Sequence, residues 1–218
     1  MIWRASLVGF ALAVCGAVPA AAQADAVPLT AAIPSDRPLS PTDRARDLMN
    51  QYGICIIRVH LGTARRALAQ PDGPAIERAL SKLATDDCLV AGRLQISHPL
   101  FRGALYRALY LRDFATMSKD DLATLRATPG QATPNFGDCV VRLSPDGARA
   151  LVLASPDTQG ERAAINMVRQ ALADCLPPKQ QVHFTMWGLQ ATLSEALYKR
   201  TVALTKTAAA PVTAKSGG

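Results

Sequence analysis

The chain has 218 residues, of which 24 are basic and 17 acidic, and only 5% are aromatic. The charge excess is modest and no aromatic residues are interleaved with the basic ones, which excludes a base-stacking surface for nucleic acid. This length fits one ordinary domain or two small ones.

The first 24 residues predict an export signal. A single positive residue, Arg4, precedes an apolar run, and the small residues ending at Ala22 or Ala24 match an A-x-A cleavage site. No later stretch reaches the roughly 18 apolar residues of a membrane span. We therefore expect a periplasmic or secreted protein after cleavage of residues 1–24. An uncleaved anchor and a lipoprotein with its lipid on Cys15 remain as alternatives.

Residues 42–112 have the pattern of a first helical unit. Arg44–Leu68 is expected to be a helix that two glycines interrupt, and Pro74–Asp87 a second helix. Ser97 is an N-cap residue, and apolar residues after it recur at the i, i+3, i+4, i+7 spacing of a buried helix face. The unit is therefore expected to consist of helices alone.

The segments outside the helical units are rich in turn residues and prolines. Residues 25–41 contain four prolines and little periodicity, which predicts a disordered linker. Residues 113–135 form a second linker, in which Ser118 opens a short helix through a capping-box pattern. Residues 205–218 are expected to be a flexible tail.

Residues 136–204 have the pattern of a second helical unit. Its first helix should be split at 144–147, where SPDG supplies a cap, a proline and a turn. A second helix is predicted at Gly160–Asp174, and Thr185 is expected to cap the last one.

Four cysteines remain once the predicted signal peptide is removed, and an even number in an oxidising compartment indicates two disulfides. The intervals of 33 residues between Cys55 and Cys88 and 36 between Cys139 and Cys175 favour one bridge within each unit. Redox catalysis and metal binding are less favoured, because the chain has no C-x-x-C and no cysteine has a histidine at ligand spacing.

The two units also resemble each other in sequence. YGICIIRV at 52–59 aligns with FGDCVVRL at 136–143 at an offset of 84, and 97–112 aligns with 185–200 at an offset of 88. Two copies are too few for an extended solenoid, so they should pack against each other. The sequence therefore predicts an all-α fold in which two tandem repeats of a disulfide-stapled helical unit form one globular bundle.

No motif names a reaction. Ser97 and His98 are adjacent, and neighbours on a helix point apart, so they do not form a nucleophile and base. His183 and Met186 are too few ligands for a copper site. The sequence therefore predicts no catalytic residue, no metal and no cofactor.

Two arginines recur in the copies at equivalent positions, Arg58 and Arg142. Together with Arg102, Arg107 and Arg112 of the more basic first copy, they are candidates for anion binding, although each also has a structural interpretation. We therefore predict an exported, non-catalytic helical protein that binds an anionic envelope component or a protein partner. The alternative is an exported hydrolase whose site is assembled from distant residues.

Overall fold

The structure, a computed structural model, describes four stretches of the chain: residues 38–89, 97–127, 135–176 and 182–209. The predicted signal peptide lies outside these stretches, as do nearly all of the linker before α1 and the middle of the linker between the units. The described residues contain helices and no strand, so the all-α prediction is confirmed. The helices are α1 (Pro41–Leu68), α2 (Pro74–Leu83), the 3-10 helix Asp86–Cys88, α3 (His98–Phe114), α4 (Lys119–Thr124), α5 (Phe136–Leu143), α6 (Pro145–Leu153), α7 (Gln159–Asp174) and α8 (Met186–Ala209). None of them combines the length and apolar character that a membrane crossing needs.

Side-chain caps fix the start of several helices. The hydroxyl groups of Ser40, Ser118 and Thr185 each accept a hydrogen bond from the main-chain N–H three residues later, at 3.1, 3.1 and 3.0 Å. Such a bond satisfies one of the N–H groups that a helix start leaves without a partner. Ser97 lies at the expected position before α3 but makes no such bond.

The first helix is continuous where the glycines were expected to interrupt it. Gly53 is instead a packing position, since an added Cβ would lie 2.8 Å from the carbonyl oxygen of Ala104 on α3. Helical geometry is broken once, at His60 (φ −120°, ψ 32°). In the second unit the predicted split is confirmed, because α5 ends before Ser144 and α6 begins at Pro145.

Two helix ends differ from the predicted positions. α2 stops at Leu83 because Ala84 and Thr85 leave helical geometry, and the 3-10 helix then carries Cys88 back to α1. α8 runs to Ala209, five residues into the stretch that was expected to be flexible.

The apolar side chains form two core clusters that share one helix pair. One cluster joins α1, α2 and most of α3, and the other joins α4 to α8 with Tyr110 of α3, while Tyr198 packs against both. α3 and α8 make the most extensive helix contact in the described part of the chain. Their axes come closest at Gly103, where an added Cβ would lie 2.2 Å from the Cβ of Ala191.

The two predicted disulfides are confirmed. Cys55 of α1 is bonded to Cys88 of the 3-10 helix, and Cys139 of α5 is bonded to Cys175 at the end of α7. Loops of 33 and 36 residues are thereby closed. Loop-closure entropy gives about 4 kcal/mol of stabilisation for each.

Two buried ion pairs connect distant elements. Arg46 of α1 donates hydrogen bonds to the Glu161 carboxylate at the start of α7 and, at 2.8 Å, to Asp43. Arg200 of α8 donates to Asp138 of α5 at 2.8 Å. Because unpaired charges are costly in a protein interior, these pairs fix which helix ends meet.

Candidate functional site

Three of the five predicted anion-binding arginines lie on the surface. Arg58 of α1 and Arg142 of α5 are exposed, and among the described residues no carboxylate lies within ion-pair distance of either. Arg112 is also exposed, with its Nη1 3.8 Å from the Asp113 carboxylate. The charges of Arg58 and Arg142 are therefore available to a ligand.

Arg102 is occupied by carboxylates of its own chain. Its guanidinium lies 2.6 Å from the Asp72 carboxylate and 2.7 Å from that of Glu195 on α8. Burial alone would lower the pKa of Arg102, but the attraction of Glu195 and Asp72 outweighs it and raises the pKa. An external anion would have to displace these two groups.

Arg107 is buried and donates hydrogen bonds to carbonyl groups at the end of α6. Its Nε donates to the carbonyl oxygen of Val152 at 2.8 Å and its Nη2 to that of Leu153 at 3.4 Å. Burial lowers the pKa of Arg107. The carbonyl groups at a helix C-terminus lack partners within the helix and carry partial negative charge, so a cation stabilises them. The five arginines have no partner in common among the described residues, and no single anion site unites them.

A mixed apolar and cationic surface lies on the solvent side of α1. We call it the outer face of α1 and define it as Arg44, Leu48, Ile54, Arg58 and Val59. The three apolar side chains are 48%, 43% and 54% exposed, although large apolar residues are usually buried. Helical spacing places all five on the side opposite the buried residues of α1.

The outer face of α1 carries positive charge towards its two ends and has acidic residues between and beside the arginines. Like Arg58, Arg44 has no carboxylate within ion-pair distance in the described part of the chain. One carboxylate, Asp47, lies on the same side of the helix, between Arg44 and Arg58, and accepts a hydrogen bond from Gln51 at 2.7 Å. Asp86 and Asp87 border the face where the disulfide joins the 3-10 helix to α1.

A cavity of about 290 Å³ lies between α1, the end of α2 and the start of α3. Its described lining combines polar and apolar side chains: Tyr52, Ser81, Ala84, Thr85, Asp86, Leu89 and His98. None of these was predicted to be a site residue, although His98 was considered as the neighbour of Ser97. They come from four separate elements, and no local spacing signals their convergence.

Hydrogen bonds order the polar wall of this cavity. The Tyr52 hydroxyl donates to the carbonyl oxygen of Thr85 at 2.9 Å, and Ser81 Oγ lies 2.8 Å from His98 Nε2. Burial and the negative charge of Asp86 raise the pKa of Tyr52. The Thr85 hydroxyl is buried and finds no hydrogen-bond partner within the described part of the protein.

The Ser81–His98 contact does not form an activated nucleophile. The Ser81 hydroxyl donates a hydrogen bond to the carbonyl oxygen of Glu77 at 3.0 Å, and in the described part of the chain no carboxylate bonds to His98 to orient its ring. An attacking serine needs its proton directed at the imidazole. Within the described residues, moreover, no group of three or more histidine, cysteine or acidic side chains could hold a metal ion.

Comparison with known proteins gives no relative from which a function can be transferred. No protein-family model matches the chain, and neither the curated proteins nor the solved structures contain a significant match. The function is therefore argued from this chain's own residues.

Proposed function

We propose that the chain is an exported, non-catalytic helical protein that binds an anionic component of the cell envelope through the outer face of α1. The observation that carries this proposal is the combination, on one exposed helix face, of three half-exposed apolar side chains with Arg44 and Arg58, which have no carboxylate partner among residues 38–89, 97–127, 135–176 and 182–209. We further propose that the component is an anionic lipid surface, since apolar side chains gain little from a purely polar polyanion.

Export is supported by the sequence of residues 1–24 and by the two disulfides, which persist in oxidising compartments. A periplasmic or secreted location would bring the outer face of α1 into contact with lipid surfaces. Intact-mass measurement of exported material tests this step. We expect a chain that begins after Ala22 or Ala24, and a retained Met1 or a lipid on Cys15 would contradict it.

The expected strength of lipid binding follows from the exposed groups. Each arginine near an anionic lipid surface contributes about 1 kcal/mol. Burying the exposed half of Leu48, Ile54 and Val59 adds about 1 kcal/mol each. The sum of about 5 kcal/mol corresponds to weak, reversible association, which salt should weaken further.

Binding to vesicles of phosphatidylglycerol and phosphatidylcholine tests the proposal. The double variant Arg44→Ser/Arg58→Ser should bind phosphatidylglycerol vesicles about 30-fold more weakly, since each arginine contributes about 1 kcal/mol. Arg142→Ser is the matched control, because Arg142 is also exposed and lacks a carboxylate partner among the described residues but lies on α5. An equal loss with Arg142→Ser would show that net charge, rather than this face, governs binding.

The apolar half of the outer face has its own control. Leu48→Ser/Val59→Ser should weaken vesicle binding, whereas Met167→Ser, which changes a 52% exposed residue on α7, should not. Unchanged binding in the first variant, or equal binding to soluble polyphosphate, would leave a polyanion rather than a lipid surface as the partner.

The hydrolase alternative rests on the Ser81–His98 contact beside a cavity. A fluorophosphonate probe tests it directly, because such probes label activated serines. We expect no labelling, since the Ser81 proton is directed at a main-chain carbonyl. Labelling that Ser81→Ala abolishes would overturn the non-catalytic proposal.

We also propose that the bundle consists of two tandem repeats. Two close contacts support this. Gly53 packs on Ala104, where an added Cβ would lie 2.8 Å from a carbonyl oxygen, and Gly137 packs on Thr192, where the same distance is 3.0 Å. The two glycines are 84 residues apart, and their two partners are 88 residues apart. These numbers are the two offsets of the sequence alignment.

The contact between α3 and α8 supports a pseudo-twofold relation between the repeats. Gly103 and Ala191, which meet at the closest approach, are themselves 88 residues apart. Equivalent residues contact each other only near a symmetry axis that relates the two copies. An experimental structure tests the proposal: residues 52–112 should superpose on 136–200 with these pairs in register, and a superposition with other pairs would refute it.

A further inference from the structure

The hydrogen-bonding groups of the cavity beside α1 are mainly acceptors. The Tyr52 and Ser81 hydroxyl protons are used on the carbonyl groups of Thr85 and Glu77, so these hydroxyl oxygens can only accept further bonds. Asp86 contributes a carboxylate, which accepts and never donates when ionised. A ligand that suits this wall must therefore be rich in donors.

The charge of the cavity also favours a ligand rich in hydrogen-bond donors. Asp86 is part of its lining, and no lysine or arginine is among the described residues that form it. Burial raises the pKa of Tyr52, and the negative charge of Asp86 raises it further. Among the described lining residues, Asp86 therefore favours a cationic ligand over an anionic one.

A buried hydroxyl without a partner adds a third observation. Thr85 Oγ1 makes no hydrogen bond within the described part of the chain, and leaving a buried polar group unpaired costs about 1–3 kcal/mol. Such exceptions in a folded protein call for an explanation, and a missing ligand or water is a common one. The Thr85 oxygen is shielded from solvent, so a bound donor reaches it only if the Thr85 side chain rotates towards the cavity.

We propose that this cavity binds a small organic amine in its protonated form. An ammonium group has three N–H donors and no acceptor, which matches the Asp86 carboxylate and the Thr85, Tyr52 and Ser81 oxygens. The organic part of the ligand packs against Ala84 and Leu89. This site is separate from the outer face of α1 and does not depend on lipid binding.

The size of the cavity limits the ligand. A volume of about 290 Å³ lies at the lower end of the range for small-molecule sites. An amine with a six-membered ring fits this volume, whereas a peptide or an oligosaccharide chain does not.

The experiment titrates the full exported protein with three ligands of one shape: cyclohexylamine, cyclohexanol and cyclohexanecarboxylate. Binding is followed by the NMR shifts of main-chain amides at low salt. We expect saturable shifts with cyclohexylamine at the amides of Tyr52, Thr85 and Asp86, and much weaker binding of the other two. Equal affinity for cyclohexanol, tighter binding of the carboxylate, or no saturable shift with the amine would overturn the proposal.

Three variants locate the site. Asp86→Asn keeps the side-chain shape and should weaken cyclohexylamine binding about tenfold, as expected for a lost charge-assisted hydrogen bond. Asp87→Asn is the matched control, since Asp87 is the adjacent carboxylate but faces His60 Nε2 at 3.5 Å and is not part of the lining. Equal effects of the two substitutions would exclude this cavity.

Thr85→Val separates a binding role from a structural one. It replaces the hydroxyl by a methyl group of similar size, so it should weaken amine binding several-fold while the free energy of unfolding stays equal or rises. A fall in stability with unchanged amine binding would show that the hydroxyl serves only the fold.

Discussion

The closest approach of α3 and α8 makes Gly103 the position where one added methyl group should do most damage. In Gly103→Ala the new Cβ would lie 2.2 Å from the Cβ of Ala191 and 2.4 Å from its Cα. Carbon atoms that are not bonded approach to about 3.5–4.0 Å, so the helices must separate by more than 1 Å. Main-chain atoms form the obstacle, and a change of side-chain rotamer cannot relieve the contact.

The magnitude follows from two opposing terms. Overpacking a well-packed core costs about 1–3 kcal/mol, and this contact belongs at the upper end because two whole helices must move. Alanine favours a helix interior over glycine by about 1 kcal/mol. We therefore expect Gly103→Ala to lower the free energy of unfolding by about 2 kcal/mol.

Gly62→Ala provides the matched control on α1. Its added Cβ would meet only the Arg66 Nη1 atom at 3.6 Å, the end of a flexible side chain. This variant should therefore gain up to about 1 kcal/mol from helix propensity alone. Urea unfolding followed by far-UV circular dichroism, with the disulfides intact, measures both values. If Gly103→Ala were as stable as Gly62→Ala, the close α3–α8 contact would be wrong.

Three further predictions concern buried hydroxyl groups and a disulfide. Tyr110→Phe should raise the free energy of unfolding by about 1 kcal/mol, because the Tyr110 hydroxyl has no partner among the described residues. Tyr106→Phe should lower it by about 1 kcal/mol, because the Tyr106 hydroxyl donates to a main-chain carbonyl at 3.3 Å. Urea unfolding with the opposite order of stabilities would contradict this. Burial raises the pKa of Tyr110 from 10.0 to about 12, so the unfolded chain loses this proton at a lower pH than the folded protein. The ionisation of Tyr110 therefore does not affect the free energy of unfolding below pH 10 and lowers it as the pH rises towards 12. Unfolding measured across that range should show a smaller loss in Tyr110→Phe than in the parent. Replacing Cys55 and Cys88 by alanine should cost about 4 kcal/mol, and an unchanged urea midpoint would refute the loop-entropy reasoning.

The parts of the fold that the sequence predicted depend on local patterns. Apolar spacing marked the helices, and the 33-residue and 36-residue intervals marked the disulfide pairs. The predicted break at Gly53 was wrong because glycine lowers helix propensity only weakly, and the close contact of Gly53 with Ala104 outweighs that cost. Near the second predicted break, at Gly62, α1 is kinked two residues earlier, at His60. Packing against another helix can therefore override the helix propensity of a single residue, and a local sequence pattern does not show that packing.

The side-chain contacts depend on the tertiary fold, so sequence patterns could not reveal them. Arg107 was predicted to be part of a basic helix face, but it meets the end of α6, 45 residues later in the chain. The sequence excluded a contact between His98 and its neighbour Ser97, but no local pattern showed that the partner of His98 is Ser81, 17 residues earlier. Arg58 and Arg142 are exposed as surface charges, and their role in anion binding stays a prediction.

The buried Arg46–Glu161 pair allows a sharp test of what such a pair contributes. It joins the first turns of α1 and α7, and Glu161 also accepts a hydrogen bond from the Asp157 N–H at 3.0 Å. Burial would lower the pKa of Arg46, but Glu161 and Asp43 outweigh it and raise the pKa.

Removing one partner should cost more than removing both. Arg46→Met leaves the Glu161 carboxylate buried without its cation, which costs about 3–5 kcal/mol, whereas Arg46→Met/Glu161→Leu buries no charge and should recover most of that loss. Urea unfolding of the two single variants and the double variant measures the coupling between them. If the two single effects simply added, the carboxylate would not depend on Arg46 for its burial. Recovery in the double variant would instead mean that the pair's main contribution is to select which helix ends meet, because apolar residues could supply the same stability without that selectivity.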